Sequence, residues 1–122
     1  MNAEELRSAL AYHCGSETVV RHSSRRIVLT EGVVEMRELA QAYWLVDAIA
    51  SHQIAAKVRT MPFQVWTLRA VGAEGTARLT LTDGNGGKNV VSQRIEYTDF
   101  PLDKVGFSLW LVQGVLMLPG EY

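Results

Sequence analysis

A chain of 122 residues, 48% hydrophobic and 20% charged, has the make-up of one globular domain, long enough to bury about two thirds of its unfolded surface. Its net charge of −1 supplies no general attraction to nucleic acid or to an anionic membrane. The single cysteine, Cys14, excludes an internal disulfide, and the acidic start Met1-Asn2-Ala3-Glu4-Glu5 lacks the basic-then-apolar layout of a secretion signal, so a cytoplasmic protein is expected.

In chain order, residues 2–12 read as a short first helix. Asn2 is placed as its N-cap, Glu5 completes a capping box, Leu6, Ala9 and Leu10 form one apolar stripe, and Gly15 ends it. Two short strands follow, Glu17–His22 and Arg26–Thr30, carried by β-branched Thr18, Val19, Val20, Ile27 and Val28. A long helix is then expected from Val33 to Gln53. At about 100° per residue, Leu39, Ala42, Tyr43, Val46, Ile49 and Ala50 share its buried face. The run Leu39–Ala56 is as long as a membrane span, but Asp47 at its centre argues against one. Met61-Pro62 ends the helical region, because the residue before proline is pushed out of helical geometry.

From Phe63 the pattern changes to period two. Strands are expected at Phe63–Val71, Thr76–Thr82 and Lys88–Tyr97, with a turn at Asp83-Gly84-Asn85-Gly86-Gly87. A last hairpin, Phe107–Val112 with Val115–Leu118, turns at Gln113-Gly114. With no repeat or linker, residues 1–122 read as a single α+β domain. Its expected form is an antiparallel sheet of hairpins, with one long helix packed on one face and a short N-terminal helix.

Four groups of residues are candidates for chemistry or binding. Asp47, a carboxylate beside Tyr43 and Trp44, needs a partner or a raised pKa; with Tyr43, Trp44 and Trp66 it could line a ligand pocket, with His22 or His52 as helper. Arg21, His22, Arg25 and Arg26 form a basic cluster that could hold phosphate. No aromatic side chain interleaves it as a nucleic-acid platform requires, so nucleic acid is not the expected partner. The glycine-rich turn lacks the ligand spacing of a calcium loop, and one cysteine with three scattered histidines gives no zinc pattern. His13 and Cys14 diverge on a helix and make no nucleophile–base pair. The tail from Val105 to Leu118 is apolar on both faces of a strand, Trp110 and Val112 opposite Leu109 and Leu111, and Trp110 and Leu111 are candidate interface residues.

Several runs resemble an uncharacterised family of small bacterial proteins associated with phages, plasmids and other mobile elements. They are Gly15-Ser16-Glu17-Thr18 with Arg21-His22, Thr30-Glu31-Gly32-Val33, and the segments 42–51, 82–86, 97–102 and 118–122. The resemblance spans almost the whole chain and implies a stand-alone bacterial accessory protein, without implying an activity or a role for any residue. Without a catalytic constellation or cofactor motif, the expectation is a non-enzymatic accessory or regulatory protein working through contacts with an unknown protein partner or a second copy of itself. The alternative is a minimal enzyme or small-ligand binder around Asp47, Tyr43 and Trp66.

Overall fold

The computed structural model describes residues 1–14, 18–72 and 75–122. The fold is mixed α+β and is organised around one seven-stranded sheet. Helix α1 (Ala3–Leu10) is followed by strands β1 (Val19–Arg21) and β2 (Val28–Thr30), then helices α2 (Glu31–Leu39), α3 (Tyr43–His52) and α4 (Ala56–Arg59). Strands β3 (Phe63–Ala70), β4 (Ala77–Thr82), β5 (Val91–Ile95), β6 (Phe107–Val112) and β7 (Val115–Met117) complete the sheet, and a 3-10 turn covers Pro119–Glu121. The capping box forms as expected: Asn2 Oδ1 accepts from the Glu5 amide, and Glu5 accepts from the Asn2 amide. Gly15 and Glu17, expected to bound the first helix and the first strand, lie outside the described residues.

The long helix expected over Val33–Gln53 is two helices. The chain leaves α2 through a Schellman motif. Gln41 takes a left-handed conformation (φ 52°), the Ala42 amide donates to the Arg37 carbonyl, and the Gln41 amide donates toward that of Glu38. Glycine is the usual residue at such a position, and glutamine disguises it in the sequence. The break also changes which side chains are buried. Ala42, Val46, Ile49 and Ala50 are in the core as expected, but Leu39 (41% exposed) and Tyr43 (46%) are not, because they sit on either side of the reversal.

The sheet order is β1-β2-β7-β6-β3-β4-β5. Consecutive strands pair antiparallel within β1–β2, β3–β4–β5 and β6–β7. Hairpins alone do not build it: β3 pairs with the distant β6, and β2 pairs with β7 in parallel. Neither long-range pairing has a local turn signal.

Period-two alternation sorts the sheet into two faces. Leu29, Leu116, Leu109, Leu111, Trp66, Leu68, Leu79 and Leu81 join Leu6, Val33, Met36, Leu45, Val46, Ile49 and Val58 of the helices in one core. Burying each of these large side chains contributes roughly 1.5–3 kcal/mol. Gln64, also on this face, is fully buried and fully bonded: its amide donates to Gln53, Val58 and Met61, and its oxygen accepts from Gln53 and the Trp66 indole.

Candidate functional site

The first candidate site is the connection between β1 and β2. The His22 amide donates to the Ile27 carbonyl and the Arg25 amide to the His22 carbonyl, with Arg25 in a left-handed conformation (φ 64°). This tight turn carries the His22 ring inward, where it is 7% exposed. Its Nε2 lies 2.7 Å from Asp47 Oδ1 on α3, and its Nδ1 lies 2.8 Å from Ser24 Oγ. The Ser24 amide also donates to Nδ1, at 3.1 Å, which assigns the ring proton to Nε2, facing Asp47. The contacts run carboxylate, imidazole, hydroxyl, the order of a proton relay.

Chemistry at Ser24 also requires a place for a substrate and donors for a developing oxyanion. The best-formed depressions of the surface are lined by other residues. Ser24 Oγ is further engaged by the Arg26 amide at 3.2 Å, and Asp47 is two-thirds exposed. The geometry therefore acts first as a strut, tying the β1–β2 turn to α3.

The other pocket candidates are dispersed. Tyr43 is half-exposed on α3, with the Arg37 guanidinium 4.7 Å above its ring. Trp44 borders a shallow depression of about 360 Å³ with Gln41, Ile95 and Tyr97, which Asp47 does not reach. Trp66 is in the core, its ring stacked 5.4 Å from that of His52, whose Nε2 bonds Gln93. Asp47 thus meets His22 and not His52, and Trp66, stacked on His52, is separate from the Asp47–His22 pair.

The basic cluster is divided by the same turn. His22 points in, while Arg21, Arg25 and Arg26 are exposed. Arg26 shares a depression of about 360 Å³ with Arg59, Gln53, Gln64, Leu111 and Gln113, a neighbourhood that the sequence order conceals. Arg59 donates there to the carbonyls of Gln53 and Ile54, the end of α3, where a cation satisfies unpaired helix carbonyls. Among the described residues, no group of three His, Cys, Asp or Glu side chains is placed to hold a metal ion, and no helix is long and apolar enough to cross a membrane.

The second candidate site is the face of the sheet away from the helices. Strand register places Val28, Val115, Val112 and Phe63 in one cross-strand row, and Met117, Trp110, Val65 and Thr82 in the next. Phe63, Val65, Trp110, Val112, Val115 and Met117 are all partly exposed. Phe63 packs 5.2 Å from Trp110, and Tyr122 stands edge-on to both at 5.7 and 5.5 Å. Tyr122 reaches this position because Glu121 is anchored beneath it. The Glu121 carboxylate accepts from Thr30 Oγ1 at 2.7 Å and the Leu118 amide at 2.9 Å, and a Cβ on Gly32 would lie 2.5 Å from Glu121 Oε1.

Beyond the apolar rows runs a band of hydroxyls, Ser108, Thr67, Thr80 and Ser92, and then a row of arginines, Arg69, Arg78 and Arg94. Trp110 and Leu111, adjacent in sequence, face opposite ways: Trp110 belongs to this open face, and Leu111 is 2% exposed in the core. The arginine row was not apparent in the sequence, where its members are 9 and 16 residues apart and align only once β3, β4 and β5 pair.

The chain belongs to a family of unknown function, DUF6876, whose family model matches residues 4–122. No curated protein matches it. No solved structure matches it either.

Proposed function

We propose that this chain is a small non-enzymatic binding protein that captures another protein, or a second copy of itself, on the open face of its sheet. One observation carries the reading: helices cover one side of the sheet, and the other side keeps an aromatic and aliphatic set partly exposed around Trp110. A large, rigid aromatic side chain ringed by partly buried aliphatics is the usual anchor of a protein interface. In this reading Leu111 supports the face from beneath, and Trp110 makes the contact. The protein would serve as an accessory or regulatory factor of bacterial mobile elements, an extension that rests on the sequence resemblance, and would be cytoplasmic, as its single cysteine and acidic start suggest.

The test is affinity capture from host lysate with the tagged chain and its Trp110→Ser variant, both first shown to melt cooperatively. A partner, or a second copy, held by the wild type and lost by the variant is expected. A partner retained equally by the variant, or none at all, would overturn the reading.

The Ser24–His22–Asp47 contacts favour a second reading, a minimal enzyme or ligand binder at the β1–β2 turn. A fluorophosphonate probe separates the two. The binding reading predicts no covalent adduct at Ser24; an adduct abolished by His22→Ala would establish the relay.

A further inference from the structure

The arginine row sets like charges side by side across three strands. Arg69 is directly opposite Arg78, and Arg78 directly opposite Arg94. Like charges in such cross-strand pairs are destabilising. Among the described residues one carboxylate is bonded to the row, Glu96, 3.1 Å from Arg94 Nε, in a pair that is largely solvated and so contributes little. Arg78 spends a donor on the Ser92 hydroxyl. At the fourth position of the row stands Gly106, with φ 86°. A Cβ there would lie 2.8 Å from Arg69 Cγ, so the missing side chain lets the Arg69 stem lie along the sheet instead of lifting away. Three guanidinium groups are thereby held at one end of the face whose other end is aromatic.

Resting on the docking role of this face, we infer that its occupant is an acidic protein segment: an apolar anchor over Trp110, and carboxylates over Arg69, Arg78 and Arg94. Charge complementarity selects the carboxylates, because planar guanidinium groups pair with them bidentately. The register sets the spacing. Val65 pairs with Trp110, and Arg69 lies four residues further along β3. At about 3.3 Å per residue the two ends are about 13 Å apart. An extended ligand therefore places its carboxylates about four residues from its anchor, and a helical one about nine. An apolar centre with a polar and charged border is the anatomy of a protein interface. A single-stranded nucleic acid would want aromatic and basic side chains interleaved, and here a band of hydroxyls separates them.

Fluorescence anisotropy on the full chain tests this with four labelled probes. The first is a peptide carrying Trp-Leu, a Ser-Gly-Ser spacer and a run of glutamates. The second replaces its glutamates with lysines, the third omits its spacer, and the fourth is a short oligothymidylate. Each is titrated against the wild type, the Arg78→Gln/Arg94→Gln double variant and Trp110→Ser. The first peptide should bind at least about tenfold more tightly than the lysine and spacer-less peptides, with a loss of about tenfold in the double variant and clear weakening as salt is raised.

If the glutamate and lysine peptides bind equally and only Trp110→Ser weakens them, the docking face stands and the acidic occupant is overturned. If only the oligothymidylate binds, and the double variant abolishes it, the row serves nucleic acid and the inference fails. Absence of binding by every probe at about 1 mM overturns it as well. Both arginine positions are solvent-facing, and the double variant should melt no lower than the wild type, which separates a binding effect from unfolding.

Discussion

The two faces of the sheet share the same strands and the same alternation, yet they differ in what completes them. On the helix side, Trp66, Leu79, Leu81, Leu109 and Leu116 are buried to 1% exposure or less beneath the helices, and even the polar Gln64 has its hydrogen bonds satisfied. On the other side, Phe63, Val65, Trp110, Val112 and Met117 stay partly exposed, with the rings of Phe63, Trp110 and Tyr122 packed on one another and Gly84 of the β4–β5 turn close to Val65 and Phe63. A face finished by the chain's own helices holds the fold together; an apolar patch left partly exposed on the other face, beside hydroxyls and arginines, is a candidate for association. Substitutions on the first should therefore act on stability, and those on the second on binding.

The largest effect expected is from Val46→Asp on the finished face. Val46 is 0% exposed at the centre of α3, and a carboxylate there would be buried among Leu, Ile and Met side chains without a partner. Such a substitution costs upwards of about 4 kcal/mol, enough to unfold a domain of ordinary stability. Loss of the cooperative transition in circular dichroism is the expected result, and a near wild-type melt would remove α3 from the core.

Gly32→Ala comes next and acts at the boundary of the two faces. The new Cβ would sit 2.5 Å from Glu121 Oε1 and 2.7 Å from Leu118 Cδ1. The turn that delivers Tyr122 to the open face must then move, at a cost of about 1–3 kcal/mol. Thermal melting measures that loss, and increased solvent quenching of Trp110 would report the displaced tyrosine.

Asp47→Asn should cost about 1 kcal/mol. An amide oxygen can still accept from His22 Nε2–H, and Asp47 is two-thirds exposed, so mainly the charge-assisted part of the bond is lost. A denaturant midpoint shifted by several kcal/mol would contradict the solvated strut described above. The smallest change has the opposite sign. Arg78→Thr relieves two like-charge pairs and places a β-branched residue in β4, for a gain of about 0.2–1 kcal/mol. A loss of stability would mean that the arginine row serves the fold.

Much of the finished face was legible from residue pattern alone. Asn2 and Glu5 wrote the first cap, and the strict alternation of Ala77, Leu79 and Leu81 fixed which side of β4 is buried. What stayed hidden is non-local. The break at Gln41 lacks the glycine that would announce it, and it leaves Leu39 and Tyr43 exposed against expectation. The β3–β6 and parallel β2–β7 pairings join segments more than 35 residues apart, and only they turn Phe63, Trp110 and Val115 into one surface. For the candidate sites, pairing Asp47 with a histidine was within reach of the sequence. Choosing His22 over His52 required the turn geometry, and the arginine row required the register of three strands.

Hydroxyl-radical footprinting of the chain alone and in host lysate shows whether the open face is where a partner binds. Protection of Phe63, Trp110, Met117 and Tyr122 together is expected, with Tyr12 and Tyr43 on the helical side reacting as freely as before. Unchanged reactivity across the open face, or protection centred on Tyr43, would contradict binding there.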